Sequence, residues 1–169
     1  MLIIKYISLF LIVLICIYIG NILSKRFMQR EEELKELEKA LNMFETKLKF
    51  TYEPLGQIFI DISKRTQGAI SELFILASEG MKEFSAEDSW DNGVNKVNSC
   101  LTKDDVHIIK GLGKLLGKTD IEGQLREINL VMNFLKDQIQ QAHEERIKNE
   151  KLYRTLGITS GLTIFIILC

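Results

Sequence analysis

Leu34 to Leu48, LKELEKALNMFETKL, and Leu125 to Ala142, LREINLVMNFLKDQIQQA, decide the fold. In the first, Leu34, Leu37, Leu41, Phe44 and Leu48 step by 3, 4, 3, 4, the spacing of an a/d heptad seam. In the second, Leu125, Ile128, Met132, Leu135, Ile139 and Ala142 step by 3, 4, 3, 4, 3. Apolar residues at this period line one side of a helix and polar residues take the other. Neither seam is stable in water, so each predicts a partner surface.

Both seams extend outward into apolar ends. Tyr6 to Ser24, YISLFLIVLICIYIGNILS, is 19 residues without a charge. As a helix it is about 28 Å long, close to the roughly 30 Å hydrocarbon core of a bilayer. The alternative is a cleaved secretory signal, but the leading basic region is Lys5 alone and no A-x-A-like site follows. At the other end, Thr155 to Cys169 holds 15 uncharged residues, about 22 Å of helix. That is short for a crossing; Arg154 snorkelling, Tyr153 at the interface and local thinning would complete it. A re-entrant or surface tail is the alternative. Two spans put both termini on one side of the membrane. Lys25, Arg26, Arg30, Arg146, Lys148, Lys151 and Arg154 flank the inner ends against Lys5 outside, so residues 25–154 are expected to face the cytoplasm. Cys100 would be a reduced thiol there.

Between the seams the chain reads as four shorter helices. The one proline, Pro54, suits the first turn of a helix that carries Leu55, Ile58, Phe59 and Ile62 inward and ends near Gly68. The next carries Ile70, Leu73, Ala77, Met81 and Phe84. A third runs through Trp90, Val94, Val97 and Leu101 and starts at Ser85-x-x-Asp88. Asn92-Gly93 is a hairpin signal by composition, but lacks flanking alternation. Thr102-x-x-Asp105 caps a fourth, with Val106, Ile109, Leu112 and Leu116 inward and Gly117 as its stop. Thr119-x-x-Glu122 then opens the long final helix, about 52 Å from Asp120 to Arg154. The expected fold is all-α. It is a membrane-anchored six-helix bundle with a transmembrane helix over 1–24, a helical domain over 25–154 and a membrane-embedded segment over 155–169. Stalk helices at 25–51 and 120–154 would pair antiparallel in one molecule, carrying a head at 52–119. A parallel homodimeric coiled coil is the rival use of the same seams.

Composition excludes several functions. A net charge of −1 lacks the basic face that nucleic acid requires. Three cysteines, none spaced as CxxC, give neither a disulfide framework nor a zinc site. GLGKLLGKTD at 111–120 resembles a phosphate loop but misses its spacing: Gly113 to Gly117 leaves three residues between and Gly111 to Gly117 leaves five, where four are required. A helix stop and a capped restart account for it. His107 and His143 are the two histidines; His143, Glu144 and Glu145 are neighbours that diverge by about 100° around a helix and do not chelate together. Glu31, Glu32 and Glu33 read as a solvated face. No nucleophile–base pair stands out, so no catalytic, cofactor or metal site and no small-molecule substrate is expected. One strip suggests docking: Lys103, Lys110, Lys114 and Lys118 step by 7, 4 and 4, and with Asp120 and Gln124 they offer a face to an acidic partner. An ordinary solvated surface near Glu83, Glu87, Asp88 and Asp91 is the plainer alternative.

Leu112-Gly113-Lys114-Leu115-Leu116-Gly117-Lys118-Thr119-Asp120, with Gln124 and Ile128, resembles the L-G-x-x-D-x-x-x-Q-x-x-x-I signature of the stage III sporulation protein AB family. Leu41, Phe44-Glu45, Leu48, Phe50 and Pro54-Leu55 are similar to that family's L-x-x-E-[IL]-x-[YF]-x-x-x-P-L segment, and Trp90 falls where the family has a tryptophan. The resemblance covers essentially the whole chain. It departs at Leu112, where the family often has an aromatic residue, which should alter packing alone. The resemblance implies a mother-cell membrane protein of endospore-forming bacteria, with a cytoplasmic domain similar to the F-type platform proteins of type II secretion and pilus systems. It implies an ATPase partner like stage III sporulation protein AA, and other membrane components of the channel linking mother cell and forespore. Gly113, Gly117, Asp120 and Gln124 are then the turn that positions two helices, with no catalytic role. The rival function is a membrane-tethered, self-associating coiled-coil scaffold or sensor.

Overall fold

The computed structural model describes the backbone of residues 2–168 except 52, 115 and 119, and most side chains from residue 18 onward. The side chains of residues 2–10, 12, 13, 16, 17, 154, 161, 162, 165, 167 and 168 lie outside the described set. Six α-helices follow one another: α1 (Leu2–Phe50), α2 (Leu55–Ser63), α3 (Gly68–Gly80), α4 (Ala86–Lys96), α5 (Lys103–Gly113) and α6 (Ile121–Leu168). Among the described residues there is no strand. Among them, too, no helix is long and apolar enough to cross a membrane. Much of the two expected spans, Tyr6–Ser24 and Thr155–Cys169, falls outside the described side chains, as does the expected interfacial Arg154.

The chain forms two compact units, residues 1–31 with 141–169, and residues 32–140. In the larger unit the α1 seam is covered within the chain: Leu34, Leu37, Ala40, Leu41, Phe44 and Leu48 are all buried. Between Leu34 and Leu48 the α1 seam is thus closed within one chain. On α6, Ile128, Val131, Met132 and Leu135 are buried, and Leu125 and Ile139 half-buried. Asn129 of α6 donates to Glu45 of α1 at 3.4 Å, which fits an antiparallel pairing.

Four rings make the centre. Phe59 packs on Phe44, Phe74 and Trp90 with centroids 5.3, 5.1 and 5.5 Å apart, and Phe74 meets Trp90 at 5.4 Å. Edge-to-face and tilted contacts of this kind set each ring's positive rim on its neighbour's negative face. The indole Nε1–H of Trp90 donates to the Ile109 carbonyl at 2.9 Å, so its one polar atom is satisfied inside the core. Helices α3 and α4 approach through small residues: a Cβ on Gly93 would stand 3.2 Å from the Leu73 carbonyl oxygen, and one on Gly80 3.0 Å from Ser89 Cβ. Asn92-Gly93 is thus a helix contact and not a turn.

Side chains of α1 fix two connections. Glu33 accepts the Cys100 N–H at 2.8 Å ahead of α5, and Glu36 accepts the Gln67 N–H at 3.1 Å at the start of α3. The cap patterns at Ser85 and Thr102 form. Ser85 Oγ accepts the Asp88 N–H at 3.1 Å, and Thr102 and Asp105 make a reciprocal box.

Several expected boundaries move. Pro54 is the N-cap of α2 (φ −60, ψ 145), one place earlier than the first turn. α2 stops at Ser63; Gly68 opens α3 with φ +58, a left-handed conformation that suits glycine. α3 ends at Gly80, so Phe84 lies beyond it and is 56% exposed, while Phe74 takes the core position. α4 ends at Lys96, leaving Val97 as an extended cap and Leu101 outside the helix. The start of α6 is capped by Asp120, whose Oδ1 accepts the Gly123 N–H at 2.9 Å; Thr119 lies outside the described residues.

In the smaller unit, α1 and α6 also pair antiparallel. A Cβ on Gly20 would lie 2.8 Å from the Tyr153 carbonyl oxygen and 3.3 Å from Gly157 Cα, so the backbones touch where side chains are absent. Phe27 stacks on Tyr153 at 5.8 Å.

Candidate docking surface

The lysine strip rests on how α5 begins and ends. Thr102 Oγ1 accepts the Asp105 N–H at 3.2 Å, and the buried Asp105 carboxylate accepts the Thr102 N–H at 2.8 Å. This satisfies donors that a helix start leaves open. Eight residues later the helix runs against Trp90. Gly113 is buried there, and a Cβ on it would be 2.7 Å from Trp90 Cδ1. The chain then turns through Leu116, which is buried, and Gly117, whose φ of +70 reverses its direction.

Lys103, Lys110 and Lys114 therefore share one face, with Lys110 half-buried and the other two exposed. Lys118 does not continue it. It lies past the helix end and is ion-paired with Glu87 of α4. That bond, then the charges of Glu87 and Asp88, raises the Lys118 pKa and keeps it cationic. Asp120 serves as the α6 cap, and Gln124 is 8% exposed and faces inward. Of the six residues read as one strip, Lys103, Lys110 and Lys114 share a face, Lys118 and Asp120 lie in the α5–α6 connection, and Gln124 is buried on α6.

A second surface was not legible in the sequence. A groove of about 660 Å³ runs between α1 and α2, lined by Lys35, Lys39, Met43, Phe50, Ile62 and Arg65 among others. Phe50, the last residue of α1, is 79% exposed. One wall is held by Lys47, whose Nζ donates to Asp61 at 2.5 Å and Glu53 at 2.7 Å. These bonds, Asp61 first, raise the Lys47 pKa, and Lys47 in turn lowers that of Asp61. The groove depends on the angle between two helices, which no single periodicity encodes.

The smaller unit carries a polar cluster where a solvated acidic face was expected. Glu31 is 1% exposed, accepting from Arg146 at 3.2 Å and lying 3.1 Å from His143 Nδ1. Arg30, also buried, donates to Glu145 at 2.5 Å. Arg146 reaches Glu150 at 3.4 Å; Glu150 first, then Glu31, raises its pKa further. Among the described residues no group of three or more His, Cys, Asp or Glu is placed to hold a metal ion. The arrangement offers charged and apolar surfaces for contact.

Three likenesses bear on this geometry. The family model described as Stage III sporulation protein AB matches residues 5–169. Stage III sporulation protein AB of Bacillus subtilis (strain 168) is 26% identical over 168 residues, covering 97% of this chain and 98% of that protein. A solved structure of a Stage III sporulation protein AB superposes with a TM-score of 0.64 at 24% identity, covering 70% of this chain and 96% of that one, and has the same fold.

Proposed function

The chain belongs to the stage III sporulation protein AB family, and from that premise we propose that it is a non-enzymatic membrane platform. In this reading the apolar ends anchor it in the mother-cell membrane of an endospore-forming bacterium. Residues 32–140 lie in the cytoplasm and dock an ATPase like stage III sporulation protein AA, beside other membrane components of the channel to the forespore. The observation that supports it is the pairing within residues 1–31 and 141–169. Gly20 lies against Gly157, which sets two uncharged runs side by side and antiparallel, the form of a two-span hairpin. Close approach through glycine is how helices associate where water supplies no driving force. Lys25, Arg26, Lys148 and Lys151 stand at one border of those runs, the distribution of a cytoplasmic edge.

For docking, the α5 face of Lys103, Lys110 and Lys114 supplies positive charge and sets partner choice and encounter rate more than affinity. Two experiments test the reading. Thiol labelling in intact membranes should reach Cys100 from the cytoplasmic side and Cys169 from the other; Cys100 reachable from outside overturns the topology. Reversing Lys103, Lys110 and Lys114 to Glu should abolish ATPase co-purification and lower spore yield. Reversal of Lys35, Lys39 and Arg65 in the α1–α2 groove is the comparison arm, and loss of binding there alone moves the docking site to the groove.

A further inference from the structure

Among the described residues, the lysines and arginines of the unit formed by residues 1–31 and 141–169 fall into two sets. Arg30 and Arg146 are committed to Glu145, Glu31 and Glu150. Lys25, Arg26, Lys148 and Lys151 are exposed and have no carboxylate partner among the described residues. Within the second set, Lys148 and Lys151 differ from the pair on α1. They share a surface hollow of about 320 Å³ with Leu152, Thr155 and Leu156. Leu152 and Leu156 are 44% and 53% exposed and, four residues apart, follow one another along the same side of α6.

The order along the helix carries the inference. Two ammonium groups come first, and two uncovered leucines follow, reaching about 12 Å from Lys148 to Leu156 at the usual helical rise. The uncharged run Thr155–Cys169 starts at the same level. An anionic glycerophospholipid presents the matching order, with phosphate outermost and hydrocarbon beneath it. Lysine binds phosphate as a flexible point charge, and its stem covers apolar surface on the way. An acidic peptide would satisfy the lysines and leave the leucines in water, so charge and hydrocarbon together select a lipid.

We propose that Lys148 and Lys151 hold the headgroup phosphate of one anionic glycerophospholipid whose acyl chain lies along Leu152 and Leu156. The proposal rests on the membrane-anchor reading above and adds a selective lipid site to it. Such a lipid would fasten α6 at the cytoplasmic border, beside the Glu31–Arg146 cluster.

The test uses the full chain, synthesised cell-free into nanodiscs of phosphatidylcholine with a minor fraction of phosphatidylglycerol. After gentle detergent release, retained lipid is counted by native mass spectrometry. Wild type should retain one phosphatidylglycerol, enriched roughly tenfold or more over its share of the bilayer, since each lysine near an anionic surface adds appreciably to binding. Lys148→Gln with Lys151→Gln should return retention to parity. Lys96→Gln with Lys136→Gln removes the same charge from the exposed surface of residues 32–140 and should retain the lipid. Equal loss in both double variants would show diffuse attraction and overturn the site. Displacement by glycerol 3-phosphate at matching concentration would show that the chain-binding leucines play no part, and also overturns it. Incorporation into nanodiscs without any enrichment sinks the lipid site and leaves the anchor standing. Failure to incorporate into phosphatidylcholine alone sinks both.

Discussion

Gly113 packs against the indole of Trp90: a Cβ added to Gly113 would come within 2.7 Å of Trp90 Cδ1, while the same indole donates from Nε1 to the Ile109 carbonyl at 2.9 Å. One ring thus contacts α5 twice, through a missing side chain and through a hydrogen bond one turn before. Gly113→Ala must displace a fully buried tryptophan held among Phe59 and Phe74, and is expected to destabilise by about 1–3 kcal/mol. Gly111→Ala is the control. A Cβ there meets only the end of the Glu127 side chain at 3.8 Å, so it should stabilise α5 by about 0.5–1 kcal/mol through lost backbone freedom in the unfolded chain. Denaturant unfolding of the full-length chain separates the two.

Phe74 and Phe84 test the register of α3. Phe74 is fully buried among Phe59 and Trp90, and Phe84 is more than half exposed past the helix end. Phe74→Ala should cost about 3–5 kcal/mol by emptying the centre of the aromatic cluster. Phe84→Ser should stay within about 0.5 kcal/mol of wild type, as exposed substitutions do. A large loss for Phe84→Ser would mean that α3 continues beyond Gly80.

Glu33 predicts a pH dependence. Burial raises its pKa, and the Cys100 N–H at 2.8 Å offsets that in part. A folded-state pKa above the unfolded one means that the native state binds the proton more tightly. Its contribution is complete below the ordinary carboxylate range and is lost as pH rises through the raised value. Glu33→Gln keeps an oxygen to accept from Cys100 and removes the buried charge. It should equal wild type in acid, and at neutral pH be as stable or more so, which thermal unfolding across that window measures. A variant that loses stability equally at all pH values would mean that the carboxylate acts only as a shape.

These outcomes also mark how far the sequence could be read. The seam from Leu34 to Leu48 was legible because its period is local and all five residues are buried. The caps at Ser85 and Thr102 were legible because capping spans three residues. Lys118 was misplaced because its spacing from Lys114 suits a helix that in fact stops at Gly113. The chain leaves the helix there for the turn at Gly117, whose φ is +70. Phe84 was drawn inward by the same kind of spacing, extended past Gly80. The α1–α2 groove, and the exchange of Gln124 from docking face to interior, depend on helix angles and not on any local pattern.

Glu31 was the hardest to read, since three successive glutamates look like solvated surface and its partners stand 112 and 115 residues away. The geometry predicts an asymmetry. Glu31 is 1% exposed, whereas the Arg146 side chain keeps 35% of its surface in water and a second carboxylate at Glu150. Removing the buried member removes a charge that burial penalises, and leaves an arginine still solvated and paired. Removing the exposed member strips a buried carboxylate of a cation that offsets its desolvation. Stripping a buried charge of its partner is the costly direction, while apolar replacement of a whole buried pair is often close to neutral; in this pair only Glu31 is buried, so its removal leaves no uncompensated buried charge on Arg146. Glu31→Leu should therefore fall within about 1 kcal/mol of wild type, and Arg146→Leu should lose distinctly more. The double variant should recover most of that loss, because no buried carboxylate then remains at position 31. Thermal unfolding of the four proteins in the same detergent reads the cycle directly, and a double variant no better than Arg146→Leu would show that Arg146 acts through its packing and not its charge.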